Sequence, residues 1–125
     1  MQYNSKQREI IKELVIASYD HPTADDVYMM MIQNGIKTRI STVYRNLHQL
    51  ANDGIIQELI MPSGKVHFDG RTYEHPHAVC VKCDKIYDIS SIDDAINSKV
   101  EEELGMKILS KQIIIKGVCK HCNQK

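Results

Sequence analysis

Apolar residues recur at helical spacing in three stretches within the first part of the chain. In the first stretch, 5–18, they follow the i, i+1, i+4, i+5 pattern of an amphipathic helix. That stripe consists of Ile10, Ile11, Leu14, Val15 and Ser18. The segment "DHPTADD" then interrupts the pattern, so the sequence predicts that this helix ends near Ser18.

The second stretch predicts a helix that begins after Thr23 and ends at Gly35. Thr23 and Asp26 have the spacing of a helix cap, and Asp25 adds a negative charge at the positive end of the helix. The apolar face of this helix is formed by Val27, Tyr28, Met31 and Ile32.

The third stretch, "TRISTVYRNLHQLANDG", predicts a helix with Ser41 as its N-cap and Gly54 at its end. Its buried stripe is Val43, Leu47, Leu50 and Ala51. The segments "IIQELIM" and "KVHFD", separated by "PSG", then predict a β-hairpin. Three helices followed by a hairpin are the element order of a winged helix-turn-helix domain.

From residue 77 onward the pattern changes to short strands around one helix. "HAVCVKC" and "KIYDI" predict two strands, and "MKILSKQIIIKGV" predicts a long third strand. Between them, Ser90 or Ser91 caps a helix that Gly105 ends. The apolar face of that helix is Ile92, Ile96, Val100 and Leu104. A domain this small cannot cover such a face and strand, so we expect it to dimerise. The predicted fold class is α+β.

The overall composition is that of a soluble globular protein, with 42% hydrophobic and 26% charged residues among 125. No apolar run is long enough to span a bilayer, and the N-terminal stretch lacks a signal-peptide core. We therefore expect a cytoplasmic protein. The formal net charge is +0, so any case for a nucleic-acid partner rests on local clustering of charge.

The four cysteines form two Cys-X-X-Cys pairs, Cys80/Cys83 and Cys119/Cys122. A disulfide framework is one interpretation. In a cytosol, however, thiols stay reduced, and paired motifs of this kind are typical of metal or redox sites. One pair alone could be thioredoxin-like, whereas two pairs favour a structural Zn(II) held by four thiolates.

The segment "YEHPHAVCVKC" places His75 and His77 just before the first cysteine pair. Thiolates suit zinc, whereas imidazoles and carboxylates suit ions such as Fe(II) or Mn(II). In a strand, His75 and His77 would point to one face and Cys80 to the other. This alternation favours a second metal site separate from the cysteines.

Carboxylates for a second site stand close to these histidines. Asp69 ends the predicted hairpin, and Asp88 ends the following strand. Each also has a plainer interpretation, because an aspartate after a strand is usually a turn residue. His67, beside Asp69, is interpreted as a wing residue rather than an accessory ligand. Spacing alone does not connect His21 to this group.

Polar residues of the third predicted helix are candidate DNA contacts. Tyr44 and Arg45 are the strongest, because arginine can read guanine through two hydrogen bonds. An exposed arginine can also be simply solvated, but its place in this helix and the basic residues before it favour DNA. The remaining candidates, which would bind phosphate and make binding salt-dependent, are Lys37, Arg39, Ser41, Thr42 and Lys65.

The segments "HPTADDVY", "STVYRNLHQLANDGII", "FDGRTYEHPHAVCVKCDKIYD" and "GVCKHC" together resemble the ferric uptake regulator family, metal-dependent bacterial repressors. The resemblance is strongest to the peroxide-sensing branch and covers nearly the whole chain. It implies a winged-helix DNA-binding domain at 1–70, a hinge at 71–74 and a zinc-containing dimerisation domain at 75–125. It also implies that a homodimer binds double-stranded operator DNA.

The resemblance further implies two metal sites. The structural Zn(II) ligands are Cys80, Cys83, Cys119 and Cys122, and the regulatory Fe(II) or Mn(II) ligands are His21, Asp69, His75, His77 and Asp88. In the peroxide-sensing branch, iron-catalysed oxidation of a ligand histidine, by position His21 or His75, ends repression. Asp88 favours this branch, because the iron-sensing branch usually has glutamate there.

Three alternative functions fit parts of the sequence. One is an iron, manganese or zinc uptake repressor of the same family, which responds to metal concentration. Another is a non-haem iron enzyme, but the sequence offers no general acid or base beyond the ligands. The third is a zinc-stabilised protein-interaction module, which the predicted DNA-reading helix disfavours. We therefore expect a regulator rather than an enzyme.

Overall fold

The computed structural model describes residues 2–73, 75–90 and 95–123. The chain divides into two compact units, Met1–Thr72 and Tyr73–Lys125. Both units contain helices and strands, which confirms the predicted α+β class. The functional assignment of 1–70 and 75–125, and of a hinge at 71–74, stays a prediction.

Three helices and a two-stranded antiparallel sheet make up the first unit. Its elements are α1 (Gln2–Ala17), α2 (Ala24–Gln33), α3 (Ile40–Asn52), β1 (Gln57–Ile60) and β2 (Val66–Asp69). The register pairs Gln57 with Asp69 and Ile60 with Val66. The turn between the strands closes with the Met61 N–H donating to the Lys65 carbonyl at 2.8 Å. The predicted hairpin is therefore confirmed.

The core of the first unit is built from one face of each helix and from the hairpin. Its fully buried members include Ile11, Val15, Val27, Met31, Val43, Leu47, Leu50 and Phe68. The apolar side chains of the predicted stripes therefore face this core, except Ile32, which is 42% exposed at the edge of α2. Four of them pack against the core but are only partly buried: Ile10, Leu14, Tyr28 and Ala51. Burial of this much apolar surface is the main stabilising contribution to the unit.

Local capping explains where α2 begins and shows that one predicted cap is wrong. The Thr23 hydroxyl accepts from the Asp26 N–H at 3.1 Å, and the Asp26 carboxylate accepts from the Thr23 N–H at 3.0 Å. Ser41 is not the N-cap of α3, because that helix starts one residue earlier, at Ile40, with Arg39 as its N-cap. Arg39 makes no side-chain capping bond, so the N-terminal amides of α3 are not capped by that side chain.

The second unit contains a three-stranded sheet and one helix. Its elements are β3 (His77–Cys80), β4 (Ile86–Asp88), α4 (Ala95–Leu104) and β5 (Ile114–Gly117). The strand order is β4-β3-β5, with β3 antiparallel to β4 and parallel to β5. The predicted long last strand is wrong in length. Only Ile114–Gly117 pairs, because its partner β3 itself has four residues.

No residue of α4 is buried within the chain. Ile96 and Leu104 of its predicted apolar face are exposed. Ile92 and the proposed cap Ser91 lie outside the described residues, and the alternative cap Ser90 is the last described residue before them. Leu109, between α4 and β5, is 89% exposed. This is the apolar surface that a second copy of the chain would cover if the unit dimerises.

Among the described residues, no helix combines the length and apolar character needed to cross a membrane.

Gly70, directly after β2, packs against the end of α1 so closely that a side chain does not fit. A Cβ there would lie 2.6 Å from the Cα of Ile16. We expect Gly70→Ala to destabilise the chain by about 1–3 kcal/mol through overpacking, measured as a lower thermal unfolding midpoint. Gly117→Ala is the matched control, because a Cβ at Gly117 meets nothing within 4 Å. Equal midpoints for the two variants would contradict the prediction.

Candidate metal centres and DNA-binding surface

Four cysteine thiols come together at one end of the second unit's sheet. The parallel register pairs Cys80 of β3 with Gly117 of β5, so the turns that follow these two strands leave the sheet at the same end. Each turn carries one Cys-X-X-Cys pair. The four sulfur atoms of Cys80, Cys83, Cys119 and Cys122 all lie within 4.8 Å of one another. The cluster predicted from the sequence is therefore present.

Backbone amides converge on the most buried of these sulfurs. The Cys119 N–H donates to Cys80 Sγ at 3.3 Å, and the Cys83 N–H donates to it at 3.5 Å. The Cys119 amide in particular lowers the pKa of Cys80 to about 6. Hydrogen bonding to the thiols of Cys119 and Cys80 raises the pKa of Cys122 to about 12. Four sulfurs this close cannot all ionise unless a cation neutralises them.

The sulfur positions fit a tetrahedral zinc ion. A Zn–S distance of about 2.3 Å places the ligand sulfurs about 3.8 Å apart. The Cys83 and Cys119 sulfurs are 3.8 Å apart. All four cysteines are free thiols, so the disulfide interpretation does not describe this structure. The donor type and spacing fit Zn(II), and its binding is taken up as a proposal below.

A second donor group lies at the opposite end of β3. The antiparallel register places His77 directly opposite Asp88 of β4. His77 Nε2 and His75 Nε2 each lie 3.1 Å from Asp88 Oδ1. The two imidazole rings are neighbours, with centroids 4.3 Å apart. The two histidines thus lie together, apart from the cysteine cluster. Strand alternation is not the cause, because β3 begins at His77 and His75 precedes it; the two groups are separated by the length of β3.

The hydrogen bonding of His75 fits a cation at this group. Its Nδ1 lies 2.9 Å from the Tyr73 carbonyl oxygen. Because a carbonyl only accepts, the proton belongs on Nδ1, which leaves Nε2 as the nitrogen with the lone pair. That nitrogen faces the Asp88 carboxylate, which also only accepts. A proton or a metal ion is therefore needed between them.

A histidine and an aspartate meet in the interior of the first unit. His21 Nε2 lies 3.5 Å from Asp69 Oδ2, and both side chains are almost completely buried. Residue 21 is brought to residue 69 by the strand β2. Phe68 N–H donates to the Pro22 carbonyl at 2.8 Å, and His67 Nδ1 donates to the His21 carbonyl at 2.6 Å. His21 itself has a left-handed backbone, with φ of 54°.

Arg71 binds the other oxygen of Asp69. Its Nε donates to Asp69 Oδ1 at 2.8 Å and its backbone N–H donates to the same oxygen at 2.9 Å. Partial burial lowers the pKa of Arg71, but the hydrogen bond and charge of Asp69 outweigh this and raise it overall. The guanidinium therefore stays charged beside the carboxylate.

The candidate DNA contacts gather around the start of α3. A groove of about 490 Å³ there is lined by Gln7, Lys37, Thr38, Arg39, Ser41, Thr42 and Arg45. The Thr38 hydroxyl donates to Gln7 Oε1 at 2.9 Å, which holds the loop before α3 against α1. Tyr44 is 43% exposed and stacks on His48 one turn later. Lys65 is exposed in the turn of the hairpin.

The model of the ferric uptake regulator family matches residues 2–116. The chain belongs to this family. The Bacillus subtilis peroxide operon regulator is 33% identical over 120 residues, which are 95% of this chain and 83% of that protein. The resemblance noted from the motifs is therefore confirmed.

Solved structures of other members of the ferric uptake regulator family are similar in fold. The Helicobacter pylori ferric uptake regulator Fur has a TM-score of 0.82 at 26% identity, with 98% of this chain and 85% of that chain covered. The Campylobacter jejuni peroxide stress regulator has a TM-score of 0.79 at 26% identity, with 97% of this chain and 92% of that chain covered.

Sequence reasoning gave no role to Arg71 or Gln7, and it did not find the contact that His67 makes with the backbone of His21. Arg71 lay in the predicted hinge, yet it pairs with Asp69. His67 is a buried strand residue that contacts the backbone of His21, which agrees with a wing residue that also positions the neighbouring loop. Gln7 lines the groove at α3. An arginine two residues after an aspartate is a signal that could have suggested the first pair.

Cys80→Ser tests the four-thiol cluster. It removes the sulfur on which two backbone amides converge, so we expect one zinc per chain to be lost and the thermal unfolding midpoint to fall. The physical reason is that binding of a structural zinc contributes directly to folding. Metal content by atomic emission and unfolding by circular dichroism measure the two effects. Lys82→Ser, in the same turn, should change neither. Full zinc content in Cys80→Ser would contradict the assignment.

Two arginines at α3 should affect DNA binding differently. The probe is a duplex selected from a random-sequence pool by Mn(II)-loaded protein. Arg45→Ala should weaken binding by about 1–3 kcal/mol and relax sequence preference, as expected for a base contact. Arg39→Ala should instead reduce the slope of log K against log salt by about 1, as expected for a phosphate contact. Lys12→Ala on α1 is the control. Binding by either arginine variant that matches this control would contradict its assigned contact.

Proposed function

We propose that this protein is a metal-dependent DNA-binding repressor that senses hydrogen peroxide through oxidation of its own histidine ligands. The observation that carries the proposal is the donor group of the second unit, where two histidine nitrogens face one Asp88 oxygen at 3.1 Å. Nitrogen and oxygen donors of this kind suit Fe(II) or Mn(II). Two similar proteins, the peroxide operon regulator and the peroxide stress regulator, support peroxide as the signal.

Cys80, Cys83, Cys119 and Cys122 would hold a structural Zn(II). The ion would join the turn after β3 to the turn after β5, and so would stabilise the sheet from its cysteine end. With all four thiolates on zinc, the cysteines would not be the groups that respond to peroxide. The signal would then depend on the imidazoles.

The proposed regulatory ligands for Fe(II) or Mn(II) are His21, Asp69, His75, His77 and Asp88. His21 and Asp69 belong to the unit that contains α3 and the hairpin, and the other three belong to the second unit. One ion that takes donors from both groups would favour one arrangement of the two units over others. Metal binding would thereby shift the population toward the form that binds DNA.

His21 and His75 are the proposed targets of oxidation. Hydrogen peroxide would be the two-electron oxidant: one of its oxygen atoms would enter a C–H bond of the ligand ring, and the other would leave as water. Fe(II) held by these ligands would supply the redox chemistry that activates the peroxide beside the ring. Both rings are buried, which protects them from peroxide in bulk solution. Their oxidation would therefore depend on the bound ion. A modified ring is a weaker ligand, so the regulatory ion would be lost and the DNA released.

A homodimer is the proposed DNA-binding form. In each copy α3 would enter the major groove with Tyr44 and Arg45 toward base edges, and Lys65 of the hairpin would contact the backbone. The dimer would bury the exposed apolar side chains of α4 and of the segment before β5. Two α3 helices related by twofold symmetry would read two half-sites of an operator.

Peptide mass spectrometry after a peroxide pulse tests the proposal. Zinc-loaded protein is reconstituted anaerobically with Fe(II) and given one equivalent of hydrogen peroxide. We expect one added oxygen on the peptide that contains His21 or the one that contains His75, together with loss of binding to the selected duplex. We expect this result because both rings are buried and would react only with peroxide that is activated beside the bound ion.

Three controls sharpen the test. Mn(II)-loaded protein should bind DNA and show no oxidation, and Asp88→Asn with Fe(II) should show little. The exposed histidines His48 and His121 should remain unmodified, although bulk peroxide reaches them more easily. If DNA binding follows metal concentration and no histidine is oxidised, the peroxide mechanism is wrong and a metal-uptake repressor replaces it.

A further inference from the structure

The two oxygens of the Asp69 carboxylate have different neighbours. Oδ2 lies 3.5 Å from His21 Nε2, whereas Oδ1 accepts two hydrogen bonds from Arg71. The Asp69 side chain is 1% exposed and that of Arg71 is 15% exposed. A fixed positive charge thus lies against a buried carboxylate that is also a proposed metal ligand.

Arg71 is held in this position by contacts that do not involve Asp69. Its guanidinium donates to the Ser18 carbonyl at 2.7 Å and to the Ile16 carbonyl at 3.3 Å. It also lies over the ring of Tyr19, with Cζ 4.0 Å from the centroid. The Ile16 carbonyl belongs to the last turn of α1 and the Ser18 carbonyl lies directly after the helix, at the end where helix carbonyls favour a cation. The charge is therefore fixed in place and cannot swing away into solvent at little cost.

We propose that Arg71 is a resident cation that competes with the divalent metal ion for Asp69 and thereby weakens metal binding at the regulatory site. The inference rests on the proposed function, in which Asp69 is a ligand of the regulatory ion. Arg71 is a positioning residue in this scheme, since it acts on the ion through Asp69. Nothing in the motif pattern of the chain assigns it this role.

Two physical effects explain why Arg71 would weaken the binding of a divalent ion to Asp69. First, hydrogen bonds to Oδ1 draw electron density from the carboxylate and leave Oδ2 as the oxygen that Asp69 presents to a metal. Second, a guanidinium charge and a divalent cation repel each other across a buried carboxylate, where solvent screening is weak. Both effects raise the metal concentration at which the site fills. The chain thereby responds to metal over a higher concentration range.

A backbone hydrogen bond makes it possible to separate the effect of the Arg71 charge on metal binding from an effect on the orientation of the Asp69 carboxylate. The N–H of residue 71 donates to Asp69 Oδ1 at 2.9 Å, and every substitution except proline retains this bond. A variant at position 71 therefore keeps a local restraint on the Asp69 rotamer. What it removes is the guanidinium charge and its hydrogen bond.

Calorimetric titration of zinc-loaded protein with Mn(II) tests the inference. Arg71→Gln and Arg71→Leu remove the charge, and both should bind Mn(II) about tenfold more tightly or better. Arg71→Lys retains a positive charge and should restore most of the wild-type affinity. Lys12→Gln removes an exposed charge elsewhere in the first unit and should bind as the wild type does. Unchanged or weaker binding in both uncharged variants would overturn the inference.

Stability measurements separate the charge effect from a structural one. All three Arg71 variants lose contacts with the Ile16 and Ser18 carbonyls, so all three should unfold at lower temperature without Mn(II). If Arg71 only held the structure together, Mn(II) affinity would fall in all three alike. The inference requires instead that affinity follows charge, with the glutamine and leucine variants tighter than the lysine variant.

Asp69→Asn distinguishes failure of the inference from failure of the proposed function. It removes the carboxylate charge and should weaken Mn(II) binding by more than any change at Arg71 strengthens it. If Asp69→Asn binds Mn(II) as the wild type does, Asp69 is not a ligand and the proposed regulatory site is wrong. If Asp69→Asn loses binding but Arg71→Gln does not gain it, the site stands and only the role of Arg71 is rejected.

Discussion

Backbone pairing of β3 with β4 on one side and with β5 on the other determines where the two groups of metal-binding side chains in the second unit lie. Pairing with β4 places His77 opposite Asp88, and pairing with β5 brings the two cysteine turns together. β3 has only four residues, so the two groups lie at its two ends. A slip of one residue in either register would turn the donors to the wrong face of the sheet.

Because the two groups lie at opposite ends of β3, the sulfur donors are separated from the nitrogen and oxygen donors. The cysteine end offers four sulfurs and the other end offers imidazoles and a carboxylate, so the two groups prefer different ions. If both groups drew on a single mixed cluster, zinc and a redox-active ion would compete for the same atoms. Placing them at opposite ends of one strand would allow the proposed structural ion and the proposed redox-active ion to bind without competing for the same atoms.

The sequence patterns predicted those parts of the structure that depend on local spacing. The capping pair at Thr23, the apolar faces of the helices and the β-hairpin all follow from periodicity or from turn chemistry. The predicted start of α3 was wrong because a helix can begin without a side-chain cap. The predicted length of β5 was wrong because a strand can pair only over the length of its partner. The contact of His21 with Asp69 depends on pairing between distant segments, which spacing does not reveal.

The loop that carries His21 takes its shape from β2 rather than from its own conformational preference. His21 adopts a left-handed backbone, which is uncommon outside glycine although histidine is among the residues that adopt it more often. Bonds from His67 to the His21 carbonyl and from Phe68 to the Pro22 carbonyl hold the loop in place. Any ion bound by His21 and Asp69 would therefore stabilise the hairpin. By thermodynamic linkage, any DNA contact that orders the hairpin would raise the affinity for that ion to the same degree.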